Sequence, residues 1–256
     1  MFFQSWVDDS ILVFKFDNNK YNAISTGTLV GLNEAVMRVN QEEELKGLIV
    51  TGEGHIFSSG FELGTFIAFA NEADCIEWFE FQEQVMYNLF TCKKPVIAAV
   101  NGSATAAGMI VAMAADYRIV VDNPKIKIGM TEINIGLSLT SAESEIMKFG
   151  LDNNKNFREV VFSGAFMNPA EALQKGIIDE LVADKTEMME KSKSKVISLI
   201  DTPGRPFSLM KHLQKRSVAE YILESHARFD WNKFAGCFFN ESVKATLIQV
   251  KASMAY

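Results

Sequence analysis

Residues 94–137 read KPVIAAVNGSATAAGMIVAMAADYRIVVDNPKIKIGMTEINIGL. The apolar run PVIAAV predicts a buried strand that stops at Asn101-Gly102 and opens into the small-residue segment SATAAG. An apolar helix over 106–115 follows. Small residues let a backbone come close to a ligand, and the first N–H groups of a helix have no partner inside it. Such a helix start can hold a developing negative charge. Further on, Glu132 stands as a lone carboxylate among Met130, Ile133 and Ile135. An oxyanion-stabilising helix start followed by a carboxylate in apolar surroundings suggests proton transfer next to a carbonyl.

Outward from this stretch, the chain alternates strands and helices. ILVFKF at 11–16 predicts a first strand, and residues 25–41 start with Ser/Thr and then place apolar residues at helical spacing. LKGLIVTG at 45–52 is a second buried strand, and 72–91 carries a helical period with its acids on the outer face. DYRIVV and KIKIGM read as short strands on either side of a turn. Strands separated by helices of this length indicate βα units and an α/β domain. From about residue 185 the pattern is helical throughout. TPGRP at 202–206 breaks it, and a final amphipathic helix starts at Glu241.

Composition narrows the class. The 256 residues suit one compact α/β domain with a helical appendage, and 48% hydrophobic content supplies a sizeable core. A net charge of −7 argues against a nucleic-acid binder, which would carry a basic face. Cys75, Cys92 and Cys237 are odd in number and widely spaced, so reduced thiols are expected. His55, His212 and His226 are scattered, and no cluster has metal-ligand spacing, so no metal is expected. The apolar runs are too short for a membrane span, and MFFQSWVDDS lacks the basic start of a signal peptide. A cytoplasmic protein is expected. The Phe-rich segments WFEFQ and FAGCFF suit either the wall of an apolar tunnel or ordinary packing.

Four segments in order carry a family resemblance. They are KYNAIS at 20–25, HIFSSGFEL at 55–63, the stretch quoted above, and FSGAFMNPAEALQKGIIDELV at 162–182. Together they resemble the enoyl-CoA hydratase/isomerase superfamily, the crotonases; the match fades after about residue 195. The resemblance implies an α/β fold made of a spiral of ββα turns with an appended helical region. The expected division is a core over 1–195 and a helical C-terminal domain over 196–256. It also implies a homotrimer or a dimer of trimers.

The same resemblance implies a site. Two backbone N–H groups, those of Phe61 and Ala107, are expected to hold a thioester oxygen as it becomes an enolate. The family usually has Gly where this chain has Ala106-Ala107. Related hydratases use two glutamates; the first position here is Ile110 and the second is Glu132. A single carboxylate can carry one proton between C2 and C4 of an acyl chain, and burial would keep it poised near neutrality. This pattern resembles the Δ3,Δ2-enoyl-CoA isomerases. The second acid of dienoyl isomerases falls on Thr140, and Glu143 and Glu145 read as solvated residues at a helix start. Glu62 is expected to brace the oxyanion loop. Coenzyme A, as part of the substrate and not as a separate cofactor, would run past Lys20, Ala23, Ser59, Gly60, Phe61, Leu63 and Ala107. The alternatives are another crotonase reaction (hydration with a differently recruited acid, thioester hydrolysis or decarboxylation) or a non-catalytic acyl-CoA-binding protein.

Overall fold

A computed structural model describes residues 2–254. The chain begins with a hairpin of β1 (Phe3–Asp8) and β2 (Ile11–Phe16), followed by α1 (Thr26–Gln41). Three turns of a spiral come next, each placing one strand in a large sheet and one in a small sheet. The first is β3 (Gly47–Gly52), β4 (Ile56–Ser58), α2 (Leu63–Ala68) and α3 (Glu72–Phe90). The second is β5 (Val96–Val100), β6 (Ser103–Thr105) and α4 (Ala107–Ala114). The third is β7 (Tyr117–Val121), β8 (Ile128–Gly129), a 3₁₀ turn over Glu132–Ile135 and α5 (Ser141–Gly150). The short helices α6 (Asn154–Phe157) and α7 (Pro169–Gln174) lead to β9 (Glu180–Val182). Four helices complete the described chain: α8 (Lys185–Leu199), α9 (Phe207–His226), α10 (Trp231–Phe239) and α11 (Glu241–Met254).

The large sheet has the order β1-β2-β3-β5-β7-β9 and is parallel except for β1 against β2; the small parallel sheet is β4-β6-β8. This is the expected spiral of ββα turns. Both faces of the large sheet are covered, which explains why its strands read as unbroken apolar runs. Leu12, Phe14, Leu48, Val50 and Ala98 face the central core beneath α1, α3 and α4. The alternate residues Ile11, Val13, Ile49, Ile97 and Ile119 face the opposite way, against Met188 and Val196 of α8. The helix α8 runs unbroken through residue 195.

The sequence pattern did not predict β1. Its residues are largely exposed, as an edge strand tolerates, and its turn to β2 uses Asp9 and Ser10 at φ 50° and 65° in place of the usual Asn-Gly. KIKIGM contributes only Ile128–Gly129 as strand. A third apolar cluster, built from Phe66, Phe79, Leu137, Phe234, Phe238 and Leu247, joins the last two helices to α2 and α3. It roofs the space between the two sheets' C-terminal loops, where the candidate site lies.

Candidate active site

The loop after β4 and the start of α4 are held face to face. Ile24 donates to Gly60 O (2.8 Å) and accepts from Glu62 N (3.0 Å), so the intervening Phe61 N–H points away from Ile24. Ser58 Oγ donates to Asn22 O (2.8 Å) and accepts from Gly60 N (3.2 Å), which ties KYNAIS to the same loop. Gly60 needs its φ of +96° for this path, and a methyl placed on it would lie 2.6 Å from Ala106 Cβ and 3.0 Å from Ala107 N. Gly108 lets α4 approach β4, because a side chain there would run into Ser58 O. Ala107 opens α4, so its N–H belongs to the unpartnered first turn. Ala106 holds φ 53° and ψ −133°, a conformation that normally requires glycine.

These elements line a cavity of about 210 Å³ whose walls include Ser59, Phe61, Leu63, Ala106, Glu132 and Glu143. Phe66, Phe79 and Phe238 close its apolar side, with Val250 and Met254 of α11. One residue from each Phe-rich segment therefore reaches the cavity, while Phe234 packs behind Phe79 at 4.8 Å between ring centroids. Ile110 is buried and apolar.

Glu132 begins the 3₁₀ turn, and its Oε2 accepts the Thr131 N–H at 2.8 Å. Burial pushes its pKa up to about 7, against the opposing pull of its own and Thr131's N–H groups. Near neutral pH it therefore exchanges readily between acid and base forms.

The sequence expectations need two corrections. Glu143 is not solvated: it is 3% exposed and lines the cavity. Its Oε2 accepts the Thr140 N–H at 2.8 Å, while Thr140 Oγ1 caps the Glu143 N–H, a reciprocal capping box. Burial first, then the neighbouring carboxyls Glu132 and Glu83, push its pKa up to about 8 against the Thr140 N–H. The signal for this placement was Thr140-Ser-Ala-Glu143, whose fourth residue folds back over its helix start. The acids of α3 are also not all outside, because Glu83 is 3% exposed, accepts Ala142 N–H at 2.7 Å and lies 2.6 Å from His226 Nδ1.

Of the remaining expected residues, Ala23 is buried beside the Ile24 bridge and Ala107 is fully buried; these two and Gly60 are not among the residues that line the cavity. Lys20 is exposed, with its ammonium 5.1 Å over the Tyr21 ring, and is not among the residues that line the cavity. The Glu62 carboxylate takes no described hydrogen bond, so the loop is braced by its backbone and by Ser58 instead. All three cysteines are free thiols, with Cys75 and Cys92 buried. No described helix is long and apolar enough to cross a membrane.

Known proteins resemble this chain in sequence and in fold. Residues 7–251 match the model of the enoyl-CoA hydratase/isomerase family. The mouse protein named enoyl-CoA delta isomerase 1, mitochondrial, is 24% identical over 238 residues, covering 93% of this chain and 81% of that protein. A probable enoyl-CoA hydratase of Bacillus subtilis (strain 168) is 27% identical over 239 residues, covering 93% and 91%. The crystal structure of human mitochondrial delta3-delta2-enoyl-CoA isomerase superposes with a TM-score of 0.89 at 22% identity, over 100% of this chain and 98% of that one. An enoyl-CoA hydratase from Bacillus halodurans superposes with a TM-score of 0.83 at 21% identity, over 97% and 100%. With a family model matched along nearly its whole length and the ββα spiral in place, the chain belongs to the enoyl-CoA hydratase/isomerase family.

Proposed function

We propose that this protein is an enoyl-CoA isomerase that moves a double bond from the 3- to the 2-position of an acyl-CoA. Ionised Glu132 takes a proton from C2, whose bonding electrons pass into the thioester carbonyl. The resulting enolate oxygen is held by the N–H groups of Phe61 and Ala107. Glu132 then returns the proton to C4, and the conjugated product forms with no net gain or loss of protons. One such donor contributes roughly 3 kcal/mol to the barrier reduction. The CoA moiety is proposed to run along Lys20, Ala23, Ser59, Gly60 and Leu63, with the acyl chain against Phe66, Phe79 and Phe238. Assembly as a trimer or a dimer of trimers and a cytoplasmic location complete the proposal, testable by light scattering and cell fractionation.

One observation carries this reading: Glu132 shares a cavity with Phe61 and with Ala106, the residue just before α4, while α4 itself offers the buried Ile110 and no carboxylate. Glu132→Gln is expected to keep the fold and CoA binding while turnover on a 3-enoyl-CoA falls roughly 10²–10⁴-fold. Turnover near that of the wild type would remove Glu132 from the mechanism.

The second carboxyl in the cavity, Glu143, supports hydration as the second reading, since two acids can hold and deprotonate a water. Incubation with a 2-enoyl-CoA in ¹⁸O-labelled water separates the two. A labelled 3-hydroxyacyl product means hydration, and an unlabelled 2-enoyl product from the 3-enoyl substrate means isomerisation.

A further inference from the structure

The buried carboxyls do not end at Glu143, the last one on the cavity wall. Glu143 sits at the third position of α5, and its carboxyl binds Thr140 N at 2.8 Å. Glu83 of α3 binds Ala142 N at 2.7 Å through Oε1, so the two carboxyls hold N–H groups of the same first turn of α5. Through Oε2, Glu83 meets His226 Nδ1 at 2.6 Å. His226 closes α9 and keeps 38% of its side chain exposed, in an outward groove shared with Glu80, Glu83, Tyr87 and Leu223. Four side chains thus lead from the cavity to the surface: Glu132 and Glu143 on its wall, Glu83 on the same helix start as Glu143, and His226 against Glu83.

We propose that Glu143 is a second proton carrier of this site and that it exchanges protons with the outside through Glu83 and His226. The idea rests on the isomerase reading and deepens it. A base that passes one proton along its bound substrate must still be reset when it meets substrate in the wrong protonation state. Glu143, held neutral by burial and by two neighbouring carboxyls, can give a proton to Glu132 or receive one. The exchange is balanced: on each carboxyl one O–H bond forms as another breaks, and no co-reactant is consumed. The charged and titratable groups that face the series are few. They are Glu132 from the 3₁₀ turn, Glu80, Glu83 and Tyr87 from α3, Glu143 from α5 and His226 from α9, while α4 presents only apolar residues. The Glu80 carboxylate lies 3.9 Å from His226 Nε2, at the outer end.

The test is isomerisation of a 3-enoyl-CoA in D₂O, reading deuterium at C4 of each product molecule by mass spectrometry. Wild-type product should carry solvent deuterium. Glu143→Gln and Glu83→Gln keep an oxygen to accept from Thr140 and Ala142 N–H, so folding is preserved. Each should cut deuterium per product roughly tenfold, whatever happens to turnover. A purely structural role would change turnover or stability and leave that ratio alone; an unchanged ratio in both variants overturns the relay.

A second measurement does not depend on catalysis. The unliganded protein at neutral pH should show an infrared band of a protonated, buried carboxyl that Glu143→Gln removes. Its absence from the wild type overturns the relay even if isomerisation proceeds. If the band is present and lost in the variant while no 3-enoyl thioester is turned over, the relay is supported and the isomerase reading fails.

Discussion

Replacing Glu143 by Gln should make the protein more stable in alkaline solution and much less so in acid. The ordinary carboxyl pKa is 4.5, and burial beside Glu132 and Glu83 raises that of Glu143 to about 8 in the folded state. A raised carboxyl pKa means that the native state binds more protons than the unfolded state across this interval. The stability it contributes is fully present below about pH 4.5 and drains away as pH climbs through 8. The gap is 3.5 units, each worth 1.36 kcal/mol, so the complete swing approaches 5 kcal/mol. Between pH 5 and pH 8 roughly 3 kcal/mol of it is lost. Glutamine keeps the capping acceptor and has no proton to lose, so the variant escapes this loss. Glu132, with its own pKa raised to about 7, titrates in both proteins and largely cancels in the comparison. For a chain of this size, the melting temperature of the variant should therefore gain roughly 6–12 °C on the wild type between pH 5 and pH 8. Differential scanning calorimetry at the two pH values, at fixed ionic strength, reads the effect. An offset between the two proteins that stays constant across this range would show that Glu143 titrates like a solvated carboxyl, and the reasoning about the cavity would fail with it.

Other perturbations address the scaffold. Ala106 pays for its left-handed conformation with roughly 1–3 kcal/mol of strain. Ala106→Gly relieves the strain at an entropic cost of about 0.4–1 kcal/mol. Thermal melts should therefore show the variant roughly 2–4 °C higher, and a lower melting temperature would refute strain at this position. Asp116 pairs with Lys211 (2.6 Å) and Lys215 (3.0 Å) where α9 meets the core, and all three side chains are nearly buried. Asp116→Ala would leave two buried ammonium groups without their counter-ion, so denaturant titration should show a loss of about 3–5 kcal/mol. A loss below 1 kcal/mol would mean that the three charges are already hydrated in the native protein.

What the sequence could reveal followed from where each signal is generated. The central strands announce themselves because both faces are buried, so IVLF-rich runs bounded by turns suffice to find them. The strands of the small sheet span two or three residues, too few to generate any period. Glu132 was legible as a lone carboxylate in an apolar segment, although of its sequence neighbours Met130 is buried and Ile133 is half exposed. For Glu143 the capping pattern gives the fold-back onto its helix start and not the burial, and for Glu83 there is no local signal, because the burial of both is produced by segments distant in the chain. The helix α3 packs on α1, α4, α5 and α10 and keeps one wet face through Glu77, Glu80 and Gln84; Glu83 stands just off that face, where α5 and His226 meet it. His226, which meets Glu83, lies 143 positions further on. A helical period reports how many faces are apolar, and it cannot report that two carboxylates on different helices will be enclosed together. Only the fold does that, by packing α3 and α9 against α5, so that Glu83 and Glu143 meet the same helix start and His226 meets Glu83.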